Sequence, residues 1–277
     1  MQLRELLSRV AALPTSRQAF RFQPDLKTWH GALLRDAALD VAMLPSLLRA
    51  DRLTAAQDSV AKLHDVHVLA VVREENRASW EMAERELRRS RHTVTFRITG
   101  VFGEGKFGNL NKLLDSSEPL PDWLLLMDDD VVLPPQFLDT FLLVAEQFRL
   151  RIAQPAHCIT SHASWPITKR RRAVARLTNF VEIGPITALH ECTLSTLTPF
   201  PTEGMGWGLD HQWARTAETK GWRAGIVDLT PIVHLSPAAS TYDAAQAAEG
   251  REPGNARPPA TLATYRRWPA RELAPTV

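Results

Sequence analysis

Cysteine is nearly missing from this chain of 277 residues, which holds only Cys158 and Cys192. Two thiols cannot build a disulfide scaffold, and these lack the spacing of a metal finger. Both read as small buried hydrophobes. No apolar run approaches the roughly 18 residues that mark a membrane span. The stretch from Met1 to Arg21 is broken by Arg4, Glu5, Arg9 and Arg17. It therefore lacks the uninterrupted apolar segment of a secretory signal, and the expectation is a soluble, cytoplasmic protein. Charge of one sign is not in excess either: 33 Lys and Arg oppose 31 Asp and Glu, a formal net charge of +2. That balance excludes a general nucleic-acid coat, so no nucleic-acid partner is expected. No internal repeat is found.

What is present is ordinary globular material. Hydrophobic residues make up 44% and charged residues 23%, which excludes a wholly disordered chain. At roughly 150 residues per domain, the length fits one large domain or two small ones. A chain near 300 residues buries about three quarters of its unfolded surface, enough for a core without metal or disulfide.

Three zones follow from the pattern. Residues 1–63 hold helical pieces, Gly31 to Leu48 and Thr54 to Leu63, interrupted by Pro14, Pro24 and Pro45. Residues 64–236 alternate short apolar runs with amphipathic stretches. Residues 237–277, rich in Ala, Pro and Arg, read as a partly ordered arm. In the middle zone, Val66 to Val72 is a β-branched run expected to be a buried strand. Ala78 to Arg91 is a helix with Trp80, Ala83 and Leu87 on one face. His92 to Thr99 alternates as the next strand. Trp123 to Met127 is fully apolar and stops at Asp128-Asp129-Asp130. Pro134 and Pro135 then suit a helix start, carried on by Phe137, Phe141, Val144 and Phe148. Ile152 to Pro155 is a further short strand. Such alternation implies an α/β sandwich with a mostly parallel central sheet and an N-terminal helical addition.

In open α/β sheets the ligand lies beyond the carboxyl ends of the strands, where the three aspartates fall. Adjacent carboxylates at the end of a buried strand repel one another unless a cation or a proton intervenes. Mg²⁺ or Mn²⁺ suits the position, being held by one or two carboxylates plus substrate phosphate oxygens. Residues two apart on extended backbone point the same way, so Asp128 and Asp130 share one ligand zone. An acidic turn that caps the following helix is the competing reading.

Three further segments bear on that choice. Gly105-Lys106-Phe107-Gly108-Asn109-Leu110-Asn111-Lys112 lies upstream. Gly206-Trp207-Gly208-Leu209-Asp210-His211 and Ile226 to His234 lie downstream. In this order they resemble the GT-A-fold glycosyltransferases, which use nucleotide-sugar donors. The likeness is closest to a little-characterised set with DDD, WGLD and IVH segments, and it covers roughly Val66 to Leu235. It implies a Rossmann-like α/β/α sandwich with a donor half at 64–130 and an acceptor half at 131–236. It also implies roles. Asp128 matches the first acid of the DxD motif, facing ribose or metal, and Asp130 the second, a direct metal ligand. His234 matches the histidine that completes the metal site. Lys106 and Asn111 fall near the nucleotide, with Asp129 beside them, and Arg73 and Glu74 near base and ribose. Asp210 matches the acid on the acceptor side. The first strand ends in Val72-Arg73-Glu74-Glu75-Asn76, where relatives carry a small, Asn-rich turn.

The chemistry fits these residue types. A divalent cation, with Lys106, offsets negative charge building on a UDP or GDP leaving group. A carboxylate must take the acceptor hydroxyl's proton, and Asp210 beside apolar Trp207 and Leu209 has the setting for raised basicity. One such base implies inversion at the anomeric carbon. Bland readings stand beside these. Asp210 also fits as the N-cap of a helix from His211 to Lys220. His234 fits as a structural strand-end histidine, and Lys106 as a solvated loop lysine. Trp207 is a core aromatic or a sugar platform. Glu182 faces the acceptor or sits in a buried ion pair. Lys169-Arg170-Arg171-Arg172 with Arg176 reads first as a solvated face, second as a phosphate contact.

Rival functions share the layout. A sugar-phosphate nucleotidyltransferase wants a glycine-rich loop after the first strand, and Val72 to Asn76 has no glycine. A phosphohydrolase with an aspartyl nucleophile wants a DxDxT-like segment, and the threonine is missing. A catalytically silent sugar-nucleotide-binding protein is the third rival.

Overall fold

The computed structural model describes residues 26–57, 63–114, 119–202, 206, 208–237 and 258–269. The strands are β1 (Asp65–Val71), β2 (Thr93–Thr99), β3 (Trp123–Met127), β4 (Val131–Val132), β5 (Ile152–His157), β6 (Ala175–Thr178), β7 (Ile186–His190), β8 (Ala224–His234) and β9 (Thr261–Tyr265). Their order across the sheet is β2-β1-β3-β7-β5-β8-β6-β9, with β4 paired to the end of β8. β1 is parallel to β2 and β3, and β5 is parallel to β8. β7 and β6 run against their neighbours, so six of the eight strands in that order point one way. The expected α/β architecture with a mostly parallel sheet is therefore present.

Helices cover both faces because the strands are apolar on both. On one face lie α1 (Leu26–Gln57), α2 (Arg77–Leu87) and α4 (Phe137–Gln147); on the other lie α3 (Gly105–Asn111), α5 (Glu191–Leu197) and α6 (Leu209–Lys220). Side-chain alternation sorts the strand residues between the two layers. Val66, Val68, Ala70, Leu125 and Met127 join Trp80, Phe137 and Phe141, whereas Leu69, Leu124 and Leu126 join Phe107, Leu194 and Trp213. Trp80, Ala83 and Leu87 form the buried stripe of α2, as their spacing requires. β2 is the edge, and its burial alternates accordingly.

Several local expectations change. α1 runs unbroken through Pro45 rather than stopping there. Burial of Met43 and Ala50 against the sheet outweighs the hydrogen bond that proline forfeits. Within the span expected as an arm, Thr261–Tyr265 pairs with β6 and Trp268 is buried, its indole donating to Ser46 O at 3.1 Å. The basic run is largely interior, not a solvated face. Arg176 and Asp228 are fully buried and paired at 2.7 Å. Arg170 reaches Asp40 at 2.7 Å and Asp36 at 3.4 Å on α1. Lys169 donates to the carbonyls of Cys158, Ile159 and Ser161. Only Arg171 and Arg172 are exposed. Cys158 is buried, but Cys192 is exposed. Among the described residues no helix is long and apolar enough to cross a membrane.

Candidate functional site

The three aspartates follow β3 directly, the chain bending at Asp129 and Asp130, and two tethers hold them. Asp128 N–H donates to Pro185 O at 2.8 Å, and Asp130 O accepts from Leu235 N at 3.0 Å. β4 then pairs with the end of β8, with Val131 opposite His234. That pairing carries a histidine from far along the chain to the triplet. His234 Nε2 stands 3.2 Å from Asp130 Oδ1 and 3.9 Å from Asp128 Oδ2. One ligand atom from each of Asp128, Asp130 and His234 lies within 4.8 Å of the others.

Asp129, between them, points elsewhere. Its carboxylate accepts from Arg73 N at 2.7 Å, from the Arg73 guanidinium at 2.6 and 3.0 Å, and from Asn76 Nδ2 at 3.0 Å. This pair locks the end of β1 to the end of β3. Asp129 lines the cleft as expected, but its hydrogen-bonding capacity is spent within the protein.

The residues fit a divalent cation. Asp130 Oδ1 is buried and takes no well-directed hydrogen bond, although Ser236 N donates to Oδ2 at 3.1 Å. An anionic oxygen left open in the interior is costly, and a cation answers that cost. Burial works against ionisation of Asp130, but His234, Ser236 and Arg73 together outweigh it and hold the carboxyl at about 2. Burial likewise disfavours a charged His234, yet Asp130, Asp128 and Glu182 raise its pKa overall. Two carboxylates and an imidazole suit Mn²⁺ or Mg²⁺ only when the imidazole is neutral, so proton and metal compete here.

Lys106 is the second residue of α3, directly after Gly105, which takes φ +69°. Its Nζ lies 2.6 Å from Asp128 Oδ1. Gly184 keeps this contact clear, since a Cβ there would stand 3.2 Å from Asp128 Oδ2 and 3.6 Å from Lys106 Nζ. A cleft of about 820 Å³ opens over the group, and Arg73, Lys106, Glu182, Asp210 and His234 all line it with the three aspartates.

Asp210 is not the N-cap of α6. Gly208 holds that position at φ +84°, and Asp210 falls in the first turn, accepting from His211 N at 2.9 Å. Burial raises its pKa, and interactions with His211 and the Trp165 side chain only partly offset this. Gly206 is required beside it, because a Cβ would run 2.4 Å from the Phe107 ring. Trp207 lies outside the described residues.

Glu182 lines the cleft, but both its oxygens are occupied. Oε1 accepts from Ser164 N at 3.0 Å and Oε2 from the Thr168 hydroxyl at 3.2 Å. Burial raises its pKa despite these bonds. Two expected residues are not brought into the cleft. Glu74 is exposed and pairs with Arg77. Asn111 donates to Phe200 O and accepts from Phe200 N, both at 2.8 Å, fastening a loop instead.

Among the lining residues that sequence reasoning missed are Asn109, Trp165 and Ser236. Asn109 Nδ2 donates to Phe102 O at 2.8 Å and Gly105 O at 2.7 Å, fixing the loop that delivers Lys106. An asparagine inside a helix is a weak signal that its side chain serves the preceding turn. Ser236 serves Asp130 through both its backbone N–H and its side chain, but a lone serine after a strand carried no signal.

No protein-family model matches the chain, and no curated protein sequence matches it. Among the solved structures that resemble it are two glycosyltransferases. GalNAc-T7 with UDP, GalNAc and Mn²⁺ is 9% identical at a TM-score of 0.42, over 67% of this chain. The chain spans about half of that protein, 47%. The mannosyltransferase PcManGT from Pyrobaculum calidifontis, in complex with GDP-Man and Mn²⁺, is 18% identical at a TM-score of 0.44, over 76% of this chain and 69% of that one.

Proposed function

We propose that the chain is a metal-dependent glycosyltransferase that moves a hexosyl group from a UDP- or GDP-sugar to an acceptor hydroxyl. One observation carries this reading. An Asp128–Asp130–His234 group, in which a buried Asp130 oxygen lacks a hydrogen bond, shares a cleft with Lys106 and with a carboxyl, Asp210, of raised basicity.

Asp128, Asp130 and His234 would hold Mn²⁺ or Mg²⁺. When bound, the cation supplies positive charge to the donor diphosphate. Lys106 adds a second positive charge where negative charge builds on the leaving group, provided it exchanges Asp128 for phosphate oxygens. Arg73 is held charged by Asp129 and presents its guanidinium to the donor end of the cleft. Asp210 takes the acceptor proton. The acceptor oxygen bonds to the anomeric carbon, the bond from that carbon to the phosphate oxygen breaks, and the electron pair leaves with the nucleoside diphosphate. A single base on the acceptor side gives inversion.

Calorimetry with UDP and GDP, with and without Mn²⁺, tests the donor half of the proposal. Binding that requires Mn²⁺ supports it, and binding indifferent to metal rejects it. Released nucleoside diphosphate, as opposed to pyrophosphate, separates transfer from nucleotidyl chemistry. Asp210→Asn is expected to keep nucleotide affinity and lose turnover; turnover unchanged in that variant removes Asp210 as the base.

A further inference from the structure

The positively charged groups that line the cleft are Arg73, Lys106 and His234, and each already faces an aspartate. The lining contributed by 164–210 is different. Ser164, Trp165, Glu182, Thr202 and Asp210 bring hydroxyl, indole and carboxyl groups, and among the described residues of that part there is no lysine or arginine. A phosphate- or carboxylate-bearing acceptor would meet like charge there without a partner.

Trp165 is partly exposed, and two neighbouring rings hold its indole. Phe180 packs edge-on at 5.0 Å and His211 at 5.5 Å, while Phe180 and His211 also touch each other at 5.3 Å. Its backbone is fixed as well. Trp165 O accepts from Thr168 N at 3.0 Å and from the Thr168 hydroxyl at 2.7 Å. Glu182 grips both ends of this turn, through Ser164 N and the Thr168 hydroxyl. A buried carboxylate thus holds in place a rigid aromatic beside Asp210.

A pyranoside has one face of C–H groups and a rim of hydroxyls. The first suits a flat indole, and the second suits neighbouring carboxylates. We infer that Trp165 is the platform for an uncharged pyranoside acceptor and that Glu182 is the positioning residue that presents it. The acceptor role rests on the transferase reading above.

Saturation-transfer NMR with methyl α-mannopyranoside and methyl β-glucopyranoside, against mannose 6-phosphate and glucuronate, tests this. A neutral glycoside is expected to give signal with the wild-type protein and the anionic sugars none. Trp165→Ala should weaken glycoside binding about 3- to 10-fold, the range of one aromatic contact, and Trp165→Phe should retain part of it. Glu182→Ala should cost a similar factor, Glu182→Gln should restore part, and the double variant should add little beyond Trp165→Ala. Mn²⁺-dependent UDP or GDP binding should be unchanged in Trp165→Ala and Trp165→Phe. Equal signal from the anionic sugars, or undiminished binding in Trp165→Ala, overturns the inference. A wild-type protein that binds nucleotide with Mn²⁺ but no glycoside sinks the platform and leaves the donor reading intact. Glycoside binding through Trp165 without any nucleotide binding does the reverse.

Discussion

Asp128–Asp130 and Lys169–Arg176 are the two densest runs of like charge that this fold draws inward, and they are treated in opposite ways. The basic run is resolved within the protein. Arg176 meets Asp228, Arg170 meets Asp36 and Asp40, and Lys169 meets three carbonyls. The acidic run is resolved only in part. Asp129 is saturated by Arg73 and Asn76, while Asp130 keeps a buried oxygen without a hydrogen bond, in a cleft. Charge density does not distinguish a structural cluster from a site. What distinguishes them is whether valence is left over and whether it faces a space that a ligand can enter.

The largest expected effect tests the open side of that comparison. Asp130→Asn removes a ligand with little change of shape. Mn²⁺-dependent nucleotide affinity should fall by at least about 100-fold, since several kcal/mol of charge stabilisation go with it. Calorimetry at fixed Mn²⁺ checks this, and affinity within a few-fold of wild type would mean that the open oxygen serves no cation.

The closed side predicts a different loss. Arg176→Leu leaves Asp228 buried without its partner, and breaking such a pair costs about 3–5 kcal/mol. Urea unfolding should show that drop, while the protein that remains folded keeps its Mn²⁺ response. An Arg176→Leu protein with wild-type stability would show that the pair contributes nothing and that the contrast with Asp130 is only one of position.

These two variants also mark what was legible from sequence. β1 and β3 were readable because strands buried on both faces must be continuous apolar runs, and the triplet marked where one ended. His234 was readable as the end of another such run. The fate of the basic run was not, because its partners Asp36, Asp40 and Asp228 are distant in sequence and only the tertiary fold brings them together. Likewise β7, with its antiparallel place between β3 and β5, is set by pairing partners and not by any signal within its five residues. Asn109 and Asn111 illustrate a finer limit. Both suit a short helix beside Lys106, and only the helix phase, fixed by packing of Phe107 and Leu110, turns one toward the loop and the other toward Phe200.

Asn109 yields the next prediction down in size. Its amide orientation is fixed, since only the NH₂ end can donate to two carbonyls. Asn109→Leu removes both bonds, at a cost of about 0.5–1.5 kcal/mol per bond in stability, while Phe102 O keeps the Glu104 N–H. If the loop carries Lys106 to the donor, nucleotide affinity should also fall in this variant, and adding Lys106→Ala should bring little further loss. Fully additive losses would separate the loop from the lysine.

The smallest effect lies at the other end of the sheet, just before β1 and β2. His92 Nδ1 accepts from His64 N at 3.2 Å, which requires a neutral ring. Burial first, then the nearby His64 and Arg91, lower the pKa of His92 from 6.5 to about 4. The unfolded chain therefore takes up a proton as pH falls through 6.5, whereas the folded chain resists until about 4. Stability from this histidine is present above the unfolded pKa, declines across that window and levels off below it. Allowing for partial exposure, the decline is on the order of 2 kcal/mol. His92→Asn supplies an uncharged acceptor in the same place, so its urea midpoint should fall less between pH 7 and pH 4.5 than that of the wild type. Buried His157, lowered to about 3, and His67, also lowered by burial, titrate in both proteins and contribute to the slope that remains. Identical pH profiles for the two would show that His92 contributes nothing to the acid limb.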